Sequence, residues 1–429
     1  MKNNSKIKDL WDKLFKKLLS LSQNKVLNIM KDGFMTITPI IIIGSLFLLL
    51  STLGQSFNGA KPLVPALADW TPKFALMSGL TMNFTSAYLS ISTAIAYANM
   101  YKLDRNSSAM IGLITFLLIN INEIVDKTIS VKAFAAESMF VTIIVVFVAM
   151  WVYRQCIEHK VTIKMPDSVP PAVGNAFASL IPMIIVSVSA WTIRTVANID
   201  LTKMFNTFLT PIINAGDNIF AFTLYKAANN FLWSLGIHGT GMLGGIFKPL
   251  ETQWLLENAE AFQAGVPIPD LPHVWTTPLN RMITWTSSAW GLIFWLAISK
   301  VKRFKIVAAA SAPSAVFSIA EPLIFSLPVM LNPYLMIPCI ISPALAGAVA
   351  YLATMLKLVN PTFIDVPWMT PPPIIGFIST GGDWRGVVIV FIAFFIGILC
   401  YWPFFKAFER EELKLEEEAE NTAKTTTEA

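Results

Sequence analysis

The sequence predicts an all-α protein that crosses a membrane many times. Of its 429 residues, 55% are hydrophobic and only 14% are charged, whereas soluble domains carry roughly 25% charged residues. The mean hydropathy is +0.59, and several apolar stretches have about the 20 residues that a helix needs to cross the hydrocarbon core. Together these observations exclude a soluble globular protein.

The chain begins with a predicted amphipathic helix at residues 6–27. Apolar residues recur there at helical spacing and lysines lie on or beside the other face, a pattern typical of a helix in the membrane interface on the side with anionic lipid. We therefore assign residues 1–32 to a cytoplasmic, interfacial segment. A signal peptide is disfavoured, because a long charged helix precedes the first apolar span.

A first half, residues 33–199, contains five predicted spans. They are placed at 34–53, 76–100, 109–120, 138–153 and 174–197. Basic residues in the loops 101–106 and 154–171 put both loops on the cytoplasmic side if each span crosses once. Residues 200–216 are predicted to link this half to a second half, residues 217–405.

The second half is less regular. Its clear spans are predicted at 219–235, 282–298 and 386–405. Between them lie apolar segments interrupted by glycine, by proline or by an acid, at 236–256, 307–327 and 361–382. Interrupted segments of this kind are typical of re-entrant hairpins or broken helices around a site near the bilayer midplane. The charged tail, residues 406–429, is predicted to be a solvated helix in the cytoplasm.

Ionisable side chains inside apolar segments are costly and indicate function. His238 lies beside Gly236 and Gly239, and glycine permits tight backbone conformations there. Glu321 lies in the apolar stretch at 318–325. A structural alternative remains open for each: a histidine satisfied by a carbonyl, or a carboxylate paired with a base. We favour a polar ligand in a cavity, and we interpret His273 as a loop residue.

Two tryptophans are candidates for binding a sugar, whose apolar ring faces are edged by hydroxyl groups. Trp233 precedes the His238 turn, and Trp368 lies in an irregular, proline-rich segment. Asn230 and Thr370 are candidate partners for hydroxyl groups. Tryptophan is also common at membrane interfaces, so this alternative stays open for both rings.

Several kinds of site are not predicted. The sequence has no Gly-x-x-x-x-Gly-Lys-Ser/Thr loop for a nucleotide and no metal-ligand cluster. Its cysteines, Cys156, Cys339 and Cys400, lack the paired spacing of a disulfide framework or a zinc site. The net charge of +5 lies at span ends and tails, which indicates topology rather than nucleic-acid binding. We expect neither a cofactor nor a metal.

Four motifs follow one another along nearly the whole chain. They are Lys31-Asp-Gly-Phe34 with Pro39, Leu232-Trp-Ser-Leu-Gly-Ile-His-Gly239, Ile319-Ala-Glu-Pro322, and Pro367-Trp-Met-Thr-Pro-Pro372 with Gly381-Gly-Asp-Trp-Arg-Gly386. With these motifs the chain resembles the IIC permease of the bacterial phosphoenolpyruvate-dependent sugar phosphotransferase system (PTS), in the lactose/cellobiose/diacetylchitobiose family. The resemblance implies about ten transmembrane helices with two re-entrant hairpins, in a homodimer.

The resemblance also implies a function. The first half would be the dimer scaffold, and the second half would bind and translocate a disaccharide similar to cellobiose or diacetylchitobiose. His238 and Glu321 match the catalytic histidine and glutamate of the family. The family's sugar-contacting tryptophans match Trp233 and Trp368. With the hydroxyl partners named above, the candidate substrate-binding residues are Trp233, Asn230, Gly239, Trp368 and Thr370. The protein would lie in the bacterial cell membrane, in contact with lipid, with both termini in the cytoplasm.

The resemblance implies that the sugar is phosphorylated on its 6-hydroxyl group as it is delivered. The donor would be a phosphocysteine on a IIB protein, expected here to be a separate chain because only a charged tail follows the last span. The chain would thus be a transporter first, and a sugar phosphotransferase together with phosphorylated IIB. The alternative is an ion-coupled secondary sugar transporter in which Glu321 carries a proton. That alternative predicts uptake without any phosphorylated partner.

Overall fold

The computed structural model describes residues 24–54, 64–121, 129–166, 169–205, 207, 216–235, 238–327 and 332–427. These residues contain fourteen α-helices and no β-strand. The predicted interfacial helix at 6–27 lies outside the described residues, apart from its last turn. Two compact units are distinguished, one formed by residues 1–215 with 241–260 and the other by residues 216–240 with 261–429.

The first unit is a bundle of apolar helices. Its helices are α1 (Lys25–Gly54), α2 (Thr71–Met82), α3 (Thr85–Tyr101), α4 (Arg105–Asn120), α5 (Met139–Glu158) and α6 (Pro171–Trp191), which a π-helical turn extends (Thr192–Val196). Helix α1 packs against α2 and α3, and α3 packs against α4 and α5. Ile29, Ala94, Ile111 and Val146 belong to the core that these helices share.

The prediction of one span at 76–100 was wrong, because α2 ends at Met82 and α3 begins at Thr85. Phe84 leaves the helical conformation, with φ −108° and ψ 14°. The Thr85 hydroxyl donates a hydrogen bond to the carbonyl of Met82. Polar side chains that bond to the nearby backbone in this way compete with helix continuation.

The remaining helices begin with α7 at Ile219. They are α7 (Ile219–Ser234), α8 (Gly239–Gln263), α9 (Thr277–Ala297), α10 (Lys302–Val316), α11 (Glu321–Ser326), α12 (Pro333–Met355), α13 (Pro372–Ser379) and α14 (Trp384–Thr427). In the second unit α9 packs against α14, and α7 packs against α12. The unit boundary at 215–216 falls at the end of the predicted linker. The roles predicted for the two halves, dimer scaffold and sugar transport, stay predictions.

Helices α9 and α14 cross at a glycine on each. A Cβ atom added to Gly291 would lie 2.7 Å from the carbonyl carbon of Gly397, and one added to Gly397 would lie 2.1 Å from the carbonyl oxygen of Ser287. Small residues allow membrane helices to approach so closely. Trp295 adds a polar link, since its indole nitrogen donates to the carbonyl of Ile398 at 2.8 Å.

Five helices among the described residues are long and apolar enough to cross a bilayer. They lie within α1, α5, the extended α6, α12 and α14. The predicted all-α, polytopic membrane fold is therefore confirmed. Helix α12 was not predicted from the sequence, although its apolar composition is a sufficient signal. Pro338 and Pro343 lie within this helix. Prolines are tolerated in membrane helices when the carbonyls that they leave unbonded find other partners.

Two of the three segments predicted to be interrupted have a break in their interior, and the third has a break only at its start. Helix α10 ends at Val316, Ser318 adopts a left-handed conformation with φ 61°, and α11 begins at Glu321. In the segment 361–382, an extended stretch folds back on α13, and the Phe363 amide donates to the carbonyl of Ser379 at 2.9 Å. In the third segment, the break predicted at His238 is present, because α7 ends at Ser234 and α8 begins at Gly239. The interruption predicted beyond it was wrong, because residues 239–263 form the continuous helix α8.

The prediction of a solvated tail was also wrong for the first turn of the tail. Helix α14 continues to Thr427, and the side chain of Glu409 is buried rather than solvated. Its carboxylate accepts hydrogen bonds from the Ser299 hydroxyl at 2.6 Å, from the Lys300 amide at 2.8 Å and from the Lys406 ammonium at 2.8 Å. The start of the tail is thus held against the turn between α9 and α10.

Candidate functional site

Helix α7 carries two of the predicted site residues on one face. Asn230 is fully buried and Trp233 is 5% exposed. The Trp233 ring lies 4.4 Å from the His238 ring, measured between centroids, and 5.3 Å from the ring of Trp285. Neither the Oδ1 atom of Asn230 nor the Nε1 atom of Trp233 has a hydrogen-bond partner within the described part of the chain. The face therefore offers one buried acceptor and one buried donor.

The start of α8 is pressed against the end of α7. A Cβ atom on Gly239 would lie 2.2 Å from the carbonyl oxygen of Asn229, which no side chain could tolerate without a shift of the backbone. Thr240 adds a hydrogen bond from its hydroxyl to Oδ1 of Asn229 at 3.1 Å. This close approach holds the exposed His238 next to Trp233.

Glu321 is the first residue of α11, directly after the break in the chain. The end of α10 is anchored by Trp290, whose indole nitrogen donates to the carbonyl of Ala315 at 3.1 Å. Ala320 and Leu323, on either side of Glu321, belong to the same buried core as Trp233. The start of α11 therefore packs into the core that also contains Trp233.

The segment with Trp368 and Thr370 forms a turn in which the Thr370 amide donates to the carbonyl of Pro367 at 2.9 Å. Trp368 is 56% exposed. No ring contact joins it to Trp233 or His238 among the described side chains. The assignment of Trp368 and Thr370 to the site stays a prediction.

Sequence reasoning missed Lys226, a fully buried lysine in the middle of α7. Its ammonium donates to the carbonyl and the side-chain oxygen of Asn280 and, at 2.6 Å, to the Thr284 hydroxyl. Lys226 precedes Asn230 by one helical turn, so α7 is tied to α9 just beside the candidate site. The rule that selected Glu321, an ionisable residue in an apolar segment, would also have selected Lys226.

A second missed feature is the ion pair of Arg281 with Asp365. The Arg281 Nη1 atom donates to Oδ1 of Asp365 at 2.9 Å and to the carbonyl of Val366 at 2.8 Å. The pair joins α9 to the extended stretch that leads into the Trp368 turn. No local pattern could have predicted it, because 84 residues separate the partners.

His273 lies in a loop, as predicted, but it is buried. Its Nδ1 atom lies 3.3 Å from Oδ2 of Asp217. The same carboxylate accepts hydrogen bonds from the amides of Val274 and Trp275 and from the Tyr351 hydroxyl, each at 3.0 Å. Asp217 therefore holds this loop.

No group of three or more histidine, cysteine or acidic side chains within the described residues could hold a metal ion.

The chain matches known proteins over nearly all of its length. The family model for the phosphotransferase system EIIC matches residues 31–343. The PTS system cellobiose-specific EIIC component of Geobacillus stearothermophilus is 29% identical over 442 residues, which cover 97% of each chain. The lichenan permease IIC component of Bacillus subtilis (strain 168) is 29% identical over 419 residues, 92% of this chain and 91% of that protein.

The fold is also similar to a solved structure. The crystal structure of the transporter ChbC, the IIC component from the N,N'-diacetylchitobiose-specific phosphotransferase system, matches with a TM-score of 0.84 and 27% identity. The match covers 93% of this chain and 96% of that one. The resemblance drawn from the sequence motifs is confirmed, and the chain belongs to the EIIC family of sugar permeases of the phosphotransferase system.

Proposed function

We propose that this permease binds a β-linked disaccharide, of the cellobiose or diacetylchitobiose type, and translocates it as phosphorylated IIB transfers a phosphoryl group to its 6-hydroxyl. The proposal is supported by the relatives, which are named for cellobiose, lichenan and diacetylchitobiose. The proposed site is in the second unit. It is formed by the end of α7, the start of α8 and the start of α11.

One observation carries the proposal. Trp233, in ring contact with His238, shares a buried core with Ala320 and Leu323, which lie one residue before and two residues after Glu321. An aromatic ring, an imidazole and the first residue of a broken helix thus occur together within the second unit. Disaccharide sites combine apolar ring contacts with a few placed hydrogen-bonding groups in this way.

The buried polar atoms of α7 suit a sugar. The Oδ1 atom of Asn230 can accept a hydrogen bond from a sugar hydroxyl, and the Nε1 atom of Trp233 can donate one. A buried polar atom without a partner costs about 1–3 kcal/mol, so a ligand that supplies the partners recovers that free energy. Gly239 is proposed to contribute through its backbone, because the carbonyl of Asn229 fills the space where a side chain would lie. Trp368 and Thr370 are proposed to complete the site when the permease holds its sugar.

Glu321 and His238 are proposed to carry the chemistry. The carboxylate of Glu321 accepts a hydrogen bond from the 6-hydroxyl and takes its proton as the oxygen attacks phosphorus. The new O–P bond forms while the S–P bond of the phosphocysteine on IIB breaks, and the thiolate leaves with IIB. His238 donates a hydrogen bond to the phosphoryl oxygens, whose charge must be stabilised during transfer.

The IIB protein is proposed to be a separate chain, and the permease to work as a homodimer with both termini in the cytoplasm. Phosphorylation makes the transported sugar an anion. The anion cannot return through a site that binds neutral sugar, so the chemistry supplies the direction of transport. No ion gradient is needed.

The test replaces Glu321 with glutamine in protein reconstituted into vesicles, with phosphorylated IIB enclosed on the cytoplasmic side. We expect the variant to bind cellobiose or diacetylchitobiose within a few fold of the wild-type affinity. Phosphosugar formation should fall by at least about 100-fold, the size of a lost general base. Glu158→Gln, on the exposed end of α5, serves as the matched control and should transfer at the wild-type rate.

Two results would contradict the proposal. Wild-type formation of phosphosugar by Glu321→Gln would remove the carboxylate from the mechanism. Uptake of unmodified sugar without IIB, abolished by a proton ionophore, would instead support an ion-coupled transporter with Glu321 as the proton carrier.

A further inference from the structure

Two adjoining polar cavities lie in the first unit, where α3 leads into α4 and where α5 leads into α6. The larger has a volume of about 650 Å³ and the smaller about 370 Å³, and both are lined by Asn175 and Ala178 of α6. Neither cavity contains a residue of the proposed sugar site. Both lie at the loops that the sequence predicts to be cytoplasmic.

The cavities are positively charged. Lys102 and Arg105 line the larger one, and Lys164 lines the smaller one. The Nε atom of Arg105 donates to Oδ1 of Asn99 at 2.6 Å, which orients the guanidinium group. Basic pockets between membrane helices on the cytoplasmic side are suited to the headgroups of anionic lipids.

The one acid that lines these cavities, Asp104, is already engaged. Its Oδ2 atom accepts a hydrogen bond from the Ser107 amide at 2.8 Å, and its Oδ1 atom accepts one from the Asn175 side chain at 2.9 Å. The carboxylate thus caps the N-terminus of α4, whose positive dipole end offsets part of its charge. Three basic residues, Lys102, Arg105 and Lys164, thus line the two cavities against one acid, and the net charge of the lining is positive.

An apolar surface leads away from the cavities along α6. Exposed large side chains recur at helical spacing on one face of this helix; they are Phe177, Leu180, Ile184, Val188 and Trp191. The stripe begins beside Ala178, which lines both cavities. A polar, basic recess is therefore continuous with an apolar strip that runs through the span.

We propose that this surface binds an anionic phospholipid. The headgroup phosphate would lie among Lys102, Arg105 and Lys164, with amide donors from Asn175 and Asn106, and the acyl chains would lie along the α6 stripe. A free phosphate ion would use the recess but not the stripe. A second copy of this chain would cover the stripe but not require a phosphate. A phospholipid alone uses both.

The experiment is native mass spectrometry of the full-length permease in detergent, titrated with phosphatidylglycerol or with phosphatidylcholine of the same acyl chains. We expect selective retention of phosphatidylglycerol. Each of Lys102→Gln, Arg105→Gln and Lys164→Gln should weaken its binding roughly fivefold, the factor for one basic side chain beside an anionic headgroup. Inorganic phosphate at the same concentration should not displace the lipid.

Lys160→Gln is a closely matched control. Lys102 and Lys160 are both exposed, and each lies just after the end of a helix. The backbone of each lysine is in the left-handed conformation, with φ 57° and 58°. Of the two lysines, only Lys102 lines one of these two cavities. We therefore expect Lys160→Gln to bind phosphatidylglycerol like the wild type, whereas an equal loss in both variants would overturn the site in favour of a diffuse effect of net charge.

Three other outcomes would also overturn the proposal. The first is equal retention of phosphatidylglycerol and phosphatidylcholine by the wild type. The second is displacement of the lipid by inorganic phosphate, which would indicate a simple anion site. The third is cross-linking between copies through cysteines placed at Ile184 in a bilayer of phosphatidylglycerol, which would show that a second copy occupies the stripe.

Discussion

The rings of Trp233 and His238 lie with their centroids 4.4 Å apart and their planes tilted by 48°. The contact joins the last turn of α7 to the residue before α8. It makes the position of the histidine depend on the tryptophan. Substitutions at Trp233 should therefore affect both sugar binding and the transfer step that is proposed for His238.

Trp233→Phe should weaken binding of the disaccharide while keeping an aromatic ring in the core. The variant loses the Nε1 donor, and a hydrogen bond to a sugar hydroxyl is worth about 1 kcal/mol, so we expect the dissociation constant to rise roughly fivefold. Trp233→Leu should weaken binding further because the ring contact with His238 is also lost. Isothermal titration measures both. Trp151→Phe, an exposed tryptophan on α5, should leave the affinity unchanged.

Gly239→Ala should destabilise the protein and abolish sugar binding. The added Cβ atom would lie 2.2 Å from the carbonyl oxygen of Asn229, so the start of α8 must move away from α7. Overpacking of this kind typically costs about 1–3 kcal/mol. Thermal unfolding in detergent, followed by a sugar-binding assay, measures the effect.

Gly244→Ala provides the matched control, in the same helix. Among the described residues, no atom outside the adjoining backbone of α8 lies within 4 Å of a Cβ atom built on Gly244. Alanine favours a helix interior over glycine by about 1 kcal/mol, so this variant should be as stable as the wild type or more stable. Equal destabilisation by the two substitutions would contradict the packing described at Gly239.

Glu409→Gln should release the start of the tail from the turn between α9 and α10. Glu409 is buried, with 5% of its surface exposed, and its carboxylate accepts hydrogen bonds from Ser299, Lys300 and Lys406. Loss of its charge weakens these bonds by about 1–2 kcal/mol, so trypsin should cut near Lys406 roughly tenfold faster. Glu416→Gln, on the exposed part of the same helix, should be cut at the wild-type rate.

Asp104 should make stability depend on pH in the acid range. Burial by itself raises the pKa of this carboxyl, but hydrogen bonds from Ser107, Asn175 and the Asn106 backbone outweigh it and bring the pKa below its ordinary value of 3.8. The stabilisation is therefore complete above pH 3.8, and it is lost as the pH falls from 3.8 through the lower pKa of the folded protein.

Asp104→Asn isolates that contribution, because asparagine still caps the helix but does not titrate. At neutral pH the variant should be less stable by about 0.5 kcal/mol, the value of a charge at a helix N-terminus. Below pH 3.8 the difference between variant and wild type should shrink. A difference in unfolding temperature that stays constant from pH 7 to pH 3 would contradict the assignment.

Composition and apolar run length were enough to predict the membrane class and most of the spans, because both follow from the thickness of the bilayer. The helix break before Glu321 was also readable, since an acid and two prolines lie in one apolar segment. In the segment from 236 to 256, the prediction of an interrupted helix from glycine and proline was wrong beyond His238. There, Gly244 and Pro249 are contained within α8, because helix geometry in a membrane is set by neighbouring residues as well as by local propensity.

Long-range partners were not predictable. Asp365 has an apolar sequence around it, and nothing nearby indicates that Arg281 is its partner. Asp217 and Tyr351 are 134 residues apart. Such pairs depend on how helices pack, which one sequence does not display. Lys226 is different, because it stood inside a predicted span and the general rule for buried charges applied to it directly.

Lys226 has a consequence for how the protein is made. A lysine at the centre of a membrane helix costs about 2.5–3.5 kcal/mol on insertion, and here that cost is offset by the oxygens of Asn280 and Thr284 on α9. These acceptors are synthesised more than fifty residues after Lys226. We therefore expect α7 to insert efficiently only together with α9, as a pair of helices.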